Sequence, residues 1–529
     1  MTSTFYISTS IAYVNAPPHI GYALELAQAD ALARYHRLNG FDTFFLTGTD
    51  EHGQKLFQLA QKEGISPQTL VDRNAEFFQN LTSSLHISND FFIRTTEIFH
   101  HEASQKLWQR LVEKGDIYKS SYSGFYCVGC EAFILEKDLA EGKCPIHHTN
   151  PERLNEENYF FRLSKYSDQI KSLITSDTFR ILPEARKNEM LNIIGEEGLK
   201  DVSFSRPRKV LNWGVSVPGD ETQVMYVWCD ALTNYISGLH YERDDALFKK
   251  YWPAQVHLIG KDILRFHGGI WIGMLLSAEL PVPKNMYVHG FVTSEGQKMS
   301  KSLGNVVDPF GYIEEFGSDA LRYYLLREIP TLDDGDFSRK RFLEIYSSEL
   351  SHTIGNLLHR VTNMVQRYCG GALNREDAFI SEHDFMNGYV FSVHSSDSVY
   401  FEIAQLVEST WNSYKKHFEG FELKLALEDV LKLSYFANQF VDVQKPWILA
   451  KQDENELRKV LYSLLELNRV IALLLAPFIP QTSEKMFSQL GIKEPLAFSS
   501  EIFQFGYLAK YTLSTHLQPI FPKMEDTFL

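Results

Sequence analysis

The first fifty residues follow a strand–turn–helix–strand order that restricts the chain to a small group of α/β folds. An apolar stretch from Phe5 to Tyr13 predicts a strand, and a helix is predicted from near Gly21 to Leu38, where Asn39-Gly40 is a favourable stop. The apolar run Thr43–Thr47 predicts the next strand. Because this order forms a βαβ unit, the sequence predicts a parallel sheet that binds ligands at the carboxyl ends of its strands.

Two polar turns follow these strands and lie at the predicted ligand-binding edge. The first reads Pro17-Pro18-His19-Ile20-Gly21-Tyr22, and the second reads Gly48-Thr49-Asp50-Glu51-His52-Gly53. His19 precedes a helix whose N-terminus offers free amides and a partial positive charge to phosphate. Taken alone, a turn histidine usually makes only a local hydrogen bond, so this motif needs a second element to indicate a nucleotide site.

The second element is the loop Lys298-Met299-Ser300-Lys301-Ser302-Leu303-Gly304-Asn305, which follows the turn Ser294-Glu295-Gly296. Two ammonium groups three residues apart, beside small hydroxyl residues, suit a triphosphate whose charge must be neutralised during phosphoryl exchange. A lysine pair in such a loop is by itself most often solvated surface. Together with the His19 turn, it favours a nucleotide-binding enzyme.

Length and composition limit the other possibilities. A chain of 529 residues suggests three or four domains, and 44% apolar with 22% charged residues is typical of an ordinary soluble protein. No apolar run is long enough to cross a bilayer, and the early strand leaves no room for a targeting segment, so we expect a cytoplasmic protein. The net charge of −15 is mild evidence against nucleic-acid binding, which nevertheless depends on local patches.

Three of the five cysteines lie close together, which in a cytosolic chain favours a metal site over disulfides. The motifs Cys127-Val128-Gly129-Cys130 and Cys144-Pro145-Ile146-His147 place four ligands on two turns and suit tetrahedral Zn²⁺. Because four protein ligands leave no position for water, we expect one structural zinc. His148 is a neighbouring alternative to His147, but the Cys-x-x-His spacing favours His147.

The remaining sequence divides by its hydrophobic pattern. Residues from about 117 to 207 break the strand–helix alternation and look like an insertion, and the α/β pattern resumes at Met225–Trp228, Val256–Gly260 and Tyr287–Gly290. Beyond about Phe342, apolar residues recur at three- and four-residue spacing, which predicts amphipathic helices. A polar stretch at about 374–401 interrupts them.

The separated motifs together resemble class I aminoacyl-tRNA synthetases, and within them methionyl-tRNA synthetases of the bacterial or mitochondrial type. The His19 turn and the Lys298 loop correspond to the two class signatures, HIGH and KMSKS. The other matching motifs are Ala12–Gly21, Thr47–Gly53, Tyr226–Ala231, Gly260–Ile263 and Phe266–His267. The resemblance runs from about residue 4 to the end. Two positions depart from it: Tyr22 replaces the last signature histidine with a phenol, which can donate but cannot become cationic, and Leu232 stands where proline is common.

This resemblance implies an α/β Rossmann-type parallel-sheet catalytic domain with a zinc-binding insertion, followed by an all-α helical-bundle anticodon-binding domain. The expected boundaries are 1–116 and 211–292 for the two halves of the catalytic domain, 117–210 for the connective insertion with the zinc knuckle, 293–342 for the KMSKS loop and stem-contact segment, 343–515 for the helical anticodon-binding domain and 516–529 for a C-terminal tail.

The resemblance also implies a substrate site. Lys298, Lys301 and His19 would stabilise the adenylation transition state, with Mg²⁺ bound to ATP. The ATP contacts would be His19, Gly21, Tyr22, Gly260, Asp262, Lys298 and Lys301. Asp50 would pair with the methionine ammonium and Tyr13 would touch the thioether, and the side-chain pocket would comprise Ile11, Trp228, Ala231, Leu232, Tyr235, Phe266 and His267. Aromatic rings with a few polar groups suit a long, polarisable side chain.

In the helical region the resemblance assigns Asn356, Arg360 and Trp447 to the CAU anticodon. Asn356 and Arg360 are four residues apart and therefore share a helix face, and a tryptophan suits the stacking of a splayed base. The implied partners are ATP, L-methionine and tRNA(Met), with no membrane. Because no added oligonucleotide-binding module follows the bundle, we expect a monomer.

Two alternatives are weighed against this interpretation. A class I synthetase for leucine, isoleucine or valine needs an editing insertion larger than the roughly ninety residues present here, and a cysteine enzyme would carry zinc in its amino-acid pocket. An RNA-binding paralogue without catalysis would not require the two lysines, His19 and Asp50. Methionine adenylation followed by transfer to the tRNA terminal adenosine, expected at its 2′-hydroxyl, therefore remains the favoured prediction.

Overall fold

The structure is a computed structural model that describes residues 3–127, 132–134, 139–145, 148–299, 304–379, 385–386, 389–390, 399–493 and 497–522. The chain forms two compact units. The sheet unit comprises Thr4–Ala29 and Asp42–Phe291, and the helical unit comprises Met1–Ser3, Asp30–Phe41 and Val292–Leu529. Within the described ranges, no helix combines the length and the apolar character that crossing a membrane requires.

The sheet unit contains fourteen named strands in its described residues. They are β1 (Thr4–Thr9), β2 (Ala12–Tyr13), β3 (Asp42–Asp50), β4 (Phe91–Arg94), β5 (Ile117–Cys127), β6 (Ala132–Ile134), β7 (Glu152–Phe161), β8 (Arg180–Leu182), β9 (Val202–Ser203), β10 (Ser205–Pro207), β11 (Ser216–Val217), β12 (Asp220–Met225), β13 (Val256–Gly260) and β14 (Asn285–His289). Seven of them form one parallel sheet in the order β2-β3-β1-β13-β14-β8, with β4 against β3. Strands β1 and β3 are buried along nearly their whole length, as expected for a sheet covered on both faces.

Helices cover this sheet. They are α1 (Ile20–Leu38), α2 (Gln54–Glu63), α3 (Pro67–Ser84), α4 (Ile98–Glu113), α5 (Ser167–Thr175), α6 (Glu184–Ile194), α7 (Val227–Leu232), α8 (Asn234–Ser237), α9 (Ala246–Tyr251) and α10 (Ile272–Ser277), with 3₁₀ turns at Leu163–Tyr166 and Lys261–Ile263 and a π-helical turn at Phe266–Trp271. The first half of α1 belongs to the sheet unit. Its N-terminus lies directly after the β2 strand, which places His19 at the carboxyl edge of the sheet.

One segment differs from the sequence-based expectation. Met225–Trp228 does not add a parallel strand, because Met225 ends the antiparallel strand β12 and Val227 begins α7. The 117–210 segment, predicted as an insertion, contributes strands to more than one sheet. Its strands β6-β5-β7-β9 form a separate antiparallel sheet, but β8 pairs with β14 at the edge of the parallel sheet. A three-residue strand with one fully buried side chain gives too weak a pattern to be found from sequence.

The helical unit is built around a bundle, as the sequence predicts. Its helices are α11 (Pro309–Phe316), α12 (Ser318–Arg327), α13 (Arg339–Ile345), α14 (Asn356–Cys369), α15 (Arg375–Ala378), α16 (Val399–Glu419), α17 (Leu423–Gln444), α18 (Pro446–Gln452), α19 (Glu454–Leu475) and α20 (Pro480–Leu490), with a π-helical segment at Tyr346–Gly355. Helix α19 is buried almost all round from Leu457 onward, which makes it the centre of the bundle.

Short strands accompany the bundle. They are β15 (Val292–Ser294), β16 (Gln297–Lys298), β17 (Gly335–Phe337), β18 (Ala372–Asn374), β19 (Phe385–Met386), β20 (Tyr389–Val390) and β21 (Lys510–Thr512). Of the irregular 374–401 stretch, the structure describes α15, the β19–β20 pair and the start of α16. Residues 380–384, 387–388 and 391–398 of that stretch lie outside the described residues.

Candidate functional site

The His19 side chain is held at the start of α1 in a defined tautomer. The backbone N–H of Gly21 donates to Nδ1 of His19 at 3.0 Å, so the ring proton of the neutral form resides on Nε2. Desolvation by the surrounding protein lowers the pKa of His19, and the Asp262 carboxylate partly offsets this. A Cβ added at Gly21 would lie 2.9 Å from the His19 ring. The short distance explains why glycine suits position 21. Because Nδ1 accepts from the Gly21 amide, Nε2–H is the ring group that remains able to donate to a ligand.

Tyr22 occupies a different place from His19. Its hydroxyl lies 3.2 Å from Oγ1 of Thr47, which itself accepts a hydrogen bond from Thr9, and its ring makes an edge contact with Phe78. Burial raises the pKa of Tyr22 well above its usual value. The phenol is thus engaged inside the sheet unit. This geometry favours a packing role, and the expected contact between Tyr22 and ATP stays a prediction.

A buried ion pair lies beneath the same edge of the sheet. Glu25 on α1 accepts hydrogen bonds from the amide and hydroxyl of Ser10, and its other oxygen lies 3.0 Å from Nε2 of His289. Nδ1 of His289 faces the carbonyl oxygen of Gly290. Burial alone lowers the pKa of His289, but the Glu25 carboxylate and the Gly290 carbonyl raise it more, so the net pKa is raised. Both ring nitrogens therefore act as donors.

Gly260 and Asp262 stand next to this pair. Gly260 ends β13 and is the register partner of His289 on β14. A Cβ at Gly260 would lie 3.0 Å from the Asp262 carboxylate and 3.7 Å from the His289 ring. The Asp262 carboxylate also acts electrostatically on His19. The structure thus brings three of the predicted ATP contacts, His19, Gly260 and Asp262, to one edge of the sheet.

The two polar residues predicted to hold methionine are also neighbours. Tyr13 on β2 and Asp50 on β3 are register partners, which places their side chains on the same face. The backbone oxygen of Asp50 accepts from the Val14 amide, and the Asp50 side chain is largely buried. The Asp50 carboxylate lies at the end of a strand, 3.5 Å from the His52 amide, and its negative charge suits an ammonium ligand.

Several of the aromatic residues predicted for the side-chain pocket contact one another. Trp228 and Phe266 stack with ring centroids 3.9 Å apart and planes within 5° of parallel, and His267 meets Trp228 edge-on. Tyr235 and His267 are joined by a hydrogen bond of 2.7 Å, and Nδ1 of His267 donates to the Ile263 carbonyl. Burial lowers the pKa of His267 to about 4. Its neutral ring therefore accepts a hydrogen bond from the Tyr235 hydroxyl at Nε2.

Three further residues predicted for the pocket belong to the same unit. Ala231 and Leu232 are buried on α7, the helix that carries Trp228, and Ile11 is half-buried and packs against the same hydrophobic core. Leu232, which departs from the resemblance, lies at the last position of α7, where a side chain without special backbone requirements fits. The structure therefore places all the predicted side-chain pocket residues in the sheet unit.

A buried cluster next to this pocket was missed from sequence. The Asp230 carboxylate accepts from Nδ1 of His52 at 2.5 Å and from Nε2 of His100 at 2.7 Å. Burial raises the pKa of Asp230, but the two imidazoles overcome this and hold it well below its usual range. His52 and Asp230 stood within quoted motifs, yet residues 178 positions apart give no sequence signal of contact.

The Lys298 loop, predicted to contact phosphate, begins as a hairpin. Lys298 lies in β16, paired with β15 across a tight turn in which Glu295 and Gly296 both have positive φ. A positive φ at both turn residues defines a type I′ hairpin turn and explains the glycine. Lys301 lies outside the described residues, and so does the Lys298 side chain.

The structure describes two of the four predicted zinc ligands. Cys127, at the end of β5, and Cys144 are buried cysteines, and the amide of Cys144 donates to the Thr149 carbonyl. Cys130 and His147 lie outside the described residues. The part of the chain that the structure describes contains no complete cluster of metal ligands. Two buried cysteines are compatible with a thiolate-rich structural site, and the zinc-ligand set stays a prediction.

The predicted anticodon residues lie in the helical unit. Asn356 begins α14, and Arg360 lies one turn later and donates to Asp442 at 2.8 Å. Trp447, at the start of α18, is 42% exposed, which is unusual for a tryptophan. Val443 and Ile448 beside it are also exposed. An exposed aromatic among apolar neighbours indicates a contact surface.

Comparison with known proteins identifies the class. The profile of "tRNA synthetases class I (M)" matches residues 5–153 and 134–362, and that of "Anticodon binding domain of methionyl tRNA ligase" matches residues 398–526. The fold and site thus define a class I aminoacyl-tRNA synthetase with an anticodon-binding domain.

Relatives narrow the class to one family. The methionine–tRNA ligases of Caldanaerobacter subterraneus subsp. tengcongensis and Bacillus subtilis are 42% and 43% identical to the chain over 99% of its length, and the matches cover 80% and 78% of those proteins. The Mycobacterium tuberculosis methionyl-tRNA synthetase in complex with methionyl-adenylate is 36% identical, with a TM-score of 0.91 over 99% of this chain and 100% of that one. The chain belongs to the methionine–tRNA ligase family. The predicted ligase function, the parallel-sheet core and the helical anticodon domain are confirmed; the zinc insertion, the domain boundaries and the individual site roles stay predictions.

Proposed function

We propose that this chain joins L-methionine to tRNA(Met) in two ATP-dependent steps, with the residues of the sheet-unit edge in defined roles. The methionine carboxylate attacks the α-phosphorus of ATP and displaces pyrophosphate. A ribose hydroxyl of the terminal adenosine then attacks the carbonyl carbon of the mixed anhydride and displaces AMP. The observation that carries the proposal is that His19, Asp262, Asp50 and the Trp228–Phe266 stack all belong to one compact unit.

Little proton transfer is needed in the first step, so positioning and charge neutralisation carry the rate. His19 donates through Nε2–H to a phosphate oxygen, since the Gly21 amide donates to Nδ1, and it stays neutral because burial lowers its pKa. The N-terminus of α1 adds its partial positive charge. Lys298 and Lys301 supply two further cations, and Mg²⁺ bound with ATP would share the neutralisation.

Amino-acid recognition is divided between the two ends of methionine. The Asp50 carboxylate pairs with the ammonium and Tyr13 lies beside it on the next strand. The stacked rings of Trp228 and Phe266 form one apolar wall for the thioether. Neutral His267, fixed by Tyr235, offers no charge to that wall, which disfavours acidic and basic side chains.

The remaining roles concern stability and tRNA. Cys127, Cys130, Cys144 and His147 would hold one structural zinc, whose contribution is to fold the insertion rather than to catalyse. Trp447 would stack on an anticodon base, and Asn356 and Arg360 would bond to base edges. The Asp442 carboxylate already orients Arg360, so the guanidinium is partly ordered before RNA binds.

Aminoacylation of purified tRNA(Met) tests the proposal. With ATP and labelled methionine, the intact chain should attach label to the 3′ terminal adenosine, and the label should be lost on mild base hydrolysis of the ester. A tRNA with its CAU anticodon replaced is the control and should be charged poorly. ATP-dependent charging with another amino acid, and none with methionine, would reject the proposal.

A further inference from the structure

The Asp230 carboxylate ties together the elements that carry the methionine-pocket residues. Its side chain is 1% exposed, and the side chains of His52 and His100 are 3% and 0% exposed. A carboxylate buried this deeply is tolerated only when its oxygens are satisfied, and here each oxygen accepts from one imidazole. Loss of either imidazole would remove the donor from one buried carboxylate oxygen.

Two of these side chains are next to pocket residues along the chain. His52 follows Asp50 by two residues, and its backbone amide lies 3.5 Å from the Asp50 carboxylate. Asp230 lies on α7 between Trp228 and Ala231. The 2.5 Å hydrogen bond from His52 to Asp230 therefore connects the ammonium-binding end of the pocket to its apolar wall.

His100 extends the connection to a third element. Its Nδ1 lies 2.7 Å from the hydroxyl of Ser237 on α8. Tyr235, which orients His267, is two residues earlier on the same helix. The cluster of His52, Asp230 and His100 thus fixes the positions of the loop after β3, of α7 and of α8 relative to one another within the sheet unit.

Two side chains that contact His52 could in principle compete with Asp230 for its hydrogen bond, and neither does. His101 packs against His52 with ring centroids 5.3 Å apart, and burial lowers its pKa to about 4, so it stays neutral. Trp213 meets His52 edge-on and donates its indole N–H to the Glu51 carbonyl. Neither is a competing acid for the cluster, so Asp230 is the carboxylate that holds His52 and His100.

We propose that Asp230 is a positioning residue for amino-acid selection. Through His52 and His100 it sets the distance between the Asp50 carboxylate and the Trp228–Phe266 stack, and that distance fixes the length of side chain that fits. The inference rests on the proposed function, since it takes methionine as the substrate. A single methylene in an apolar pocket changes specificity by roughly 10- to 200-fold, so a small shift of one wall is measurable.

The substitution Asp230→Asn in the full chain tests this. An amide keeps the shape but turns one acceptor oxygen into a donor facing an imidazole N–H, which forces the pair apart. In ATP–pyrophosphate exchange, KM for methionine should rise by ~10-fold or more while KM for ATP changes by less than ~2-fold, and the preference for methionine over norleucine and ethionine should fall by ~10-fold.

Two substitutions at His100 distinguish a positioning role of the cluster from a general loss of structure. His100→Gln keeps a donor at the Nε2 position and should retain most of the methionine preference, whereas His100→Ala should lose it. This pair also decides the matter if Asp230→Asn does not fold. Asp429→Asn is the matched control, because Asp429 is a buried carboxylate 2.8 Å from His417 in the helical unit, and it should leave both KM values unchanged.

Failure of the proposed function and failure of the role proposed for Asp230 would give different results. No methionine-dependent exchange by the unsubstituted chain would reject the proposed function itself. An active unsubstituted chain, with a folded Asp230→Asn variant whose methionine KM and preference are unchanged, would overturn only the role of Asp230. A parallel rise of KM for ATP and methionine, or equal behaviour of His100→Gln and His100→Ala, would also overturn it.

Discussion

The Gly21 amide donates to Nδ1 of His19, and this hydrogen bond fixes the tautomer of the signature histidine. Burial lowers the pKa of His19, and an imidazole protonated at Nδ1 would also face the Gly21 N–H as donor against donor. His19 is therefore a neutral imidazole at physiological pH, with its proton on Nε2.

Gly21→Ala should disrupt this arrangement, because the added Cβ would lie 2.9 Å from the His19 ring. We expect kcat for methionine-dependent exchange to fall by roughly 10²-fold, of the order seen when one transition-state donor is lost. Gly311→Ala is the control, since nothing lies within 4 Å of a Cβ there and its φ is not positive. Equal kcat in the two variants would argue against the tautomer assigned to His19.

Acid should destabilise the sheet unit through His267. The pKa of His267 is about 4 in the folded protein, and its ordinary value is 6.5. Above pH 6.5, His267 is therefore neutral in both the folded and the unfolded chain, and the free energy of unfolding has its full value. Between pH 6.5 and 4 only the unfolded chain is protonated, and the free energy of unfolding falls by up to about 3 kcal/mol. His267→Gln should weaken the pH dependence of urea unfolding between pH 7 and 5 by about 2 kcal/mol. An unchanged pH dependence would contradict this.

One zinc per chain should be found by elemental analysis of the purified protein. Cys127→Ser should lower the zinc content to well below half and destabilise the insertion, since a thiolate ligand is lost. Cys369→Ser is the control: it removes a half-exposed thiol from the end of α14 in the helical unit and should leave the zinc content at one. Full zinc content in Cys127→Ser would reject the ligand set.

Anticodon binding should depend on the exposed ring of Trp447. Trp447→Ala should raise KM for tRNA(Met) by roughly 10-fold, the loss expected for one stacked base, and leave exchange without tRNA unchanged. Tyr435→Ala removes another exposed aromatic of the helical unit and should have little effect on either reaction. A tRNA KM that is equally sensitive to both substitutions would indicate a non-specific apolar surface.

Much of the fold and site could be predicted from the sequence because the informative features are local. The βαβ pattern lies within the first fifty residues, the His19 turn and the Asp50 turn are each short motifs, and strand order brings the two turns to one edge. The orientation of Tyr22 could not be predicted, since the contact with Thr47 depends on packing between α1 and β3. The Asp230 cluster joins residues that are far apart along the chain, and no spacing rule reveals such a contact.

The same reasoning explains the wrong expectation at Met225–Trp228. An apolar run of four residues fits a strand or a buried helix equally well by its pattern. In the structure the run is divided between the two, since β12 ends at Met225 and α7 begins at Val227. Trp228 is consequently presented from a helix, where it can stack on Phe266.

Amino-acid-dependent ATP–pyrophosphate exchange, measured with the intact chain across methionine, leucine and cysteine, tests the assignment most directly. Exchange with methionine should exceed exchange with either of the others by at least ~10²-fold in kcat/KM, since the aromatic wall and Asp50 act together on one substrate. Exchange should also fall sharply in Asp50→Asn. No exchange with methionine, or equal exchange with leucine or cysteine, would contradict the assignment of this sheet edge to methionine adenylation.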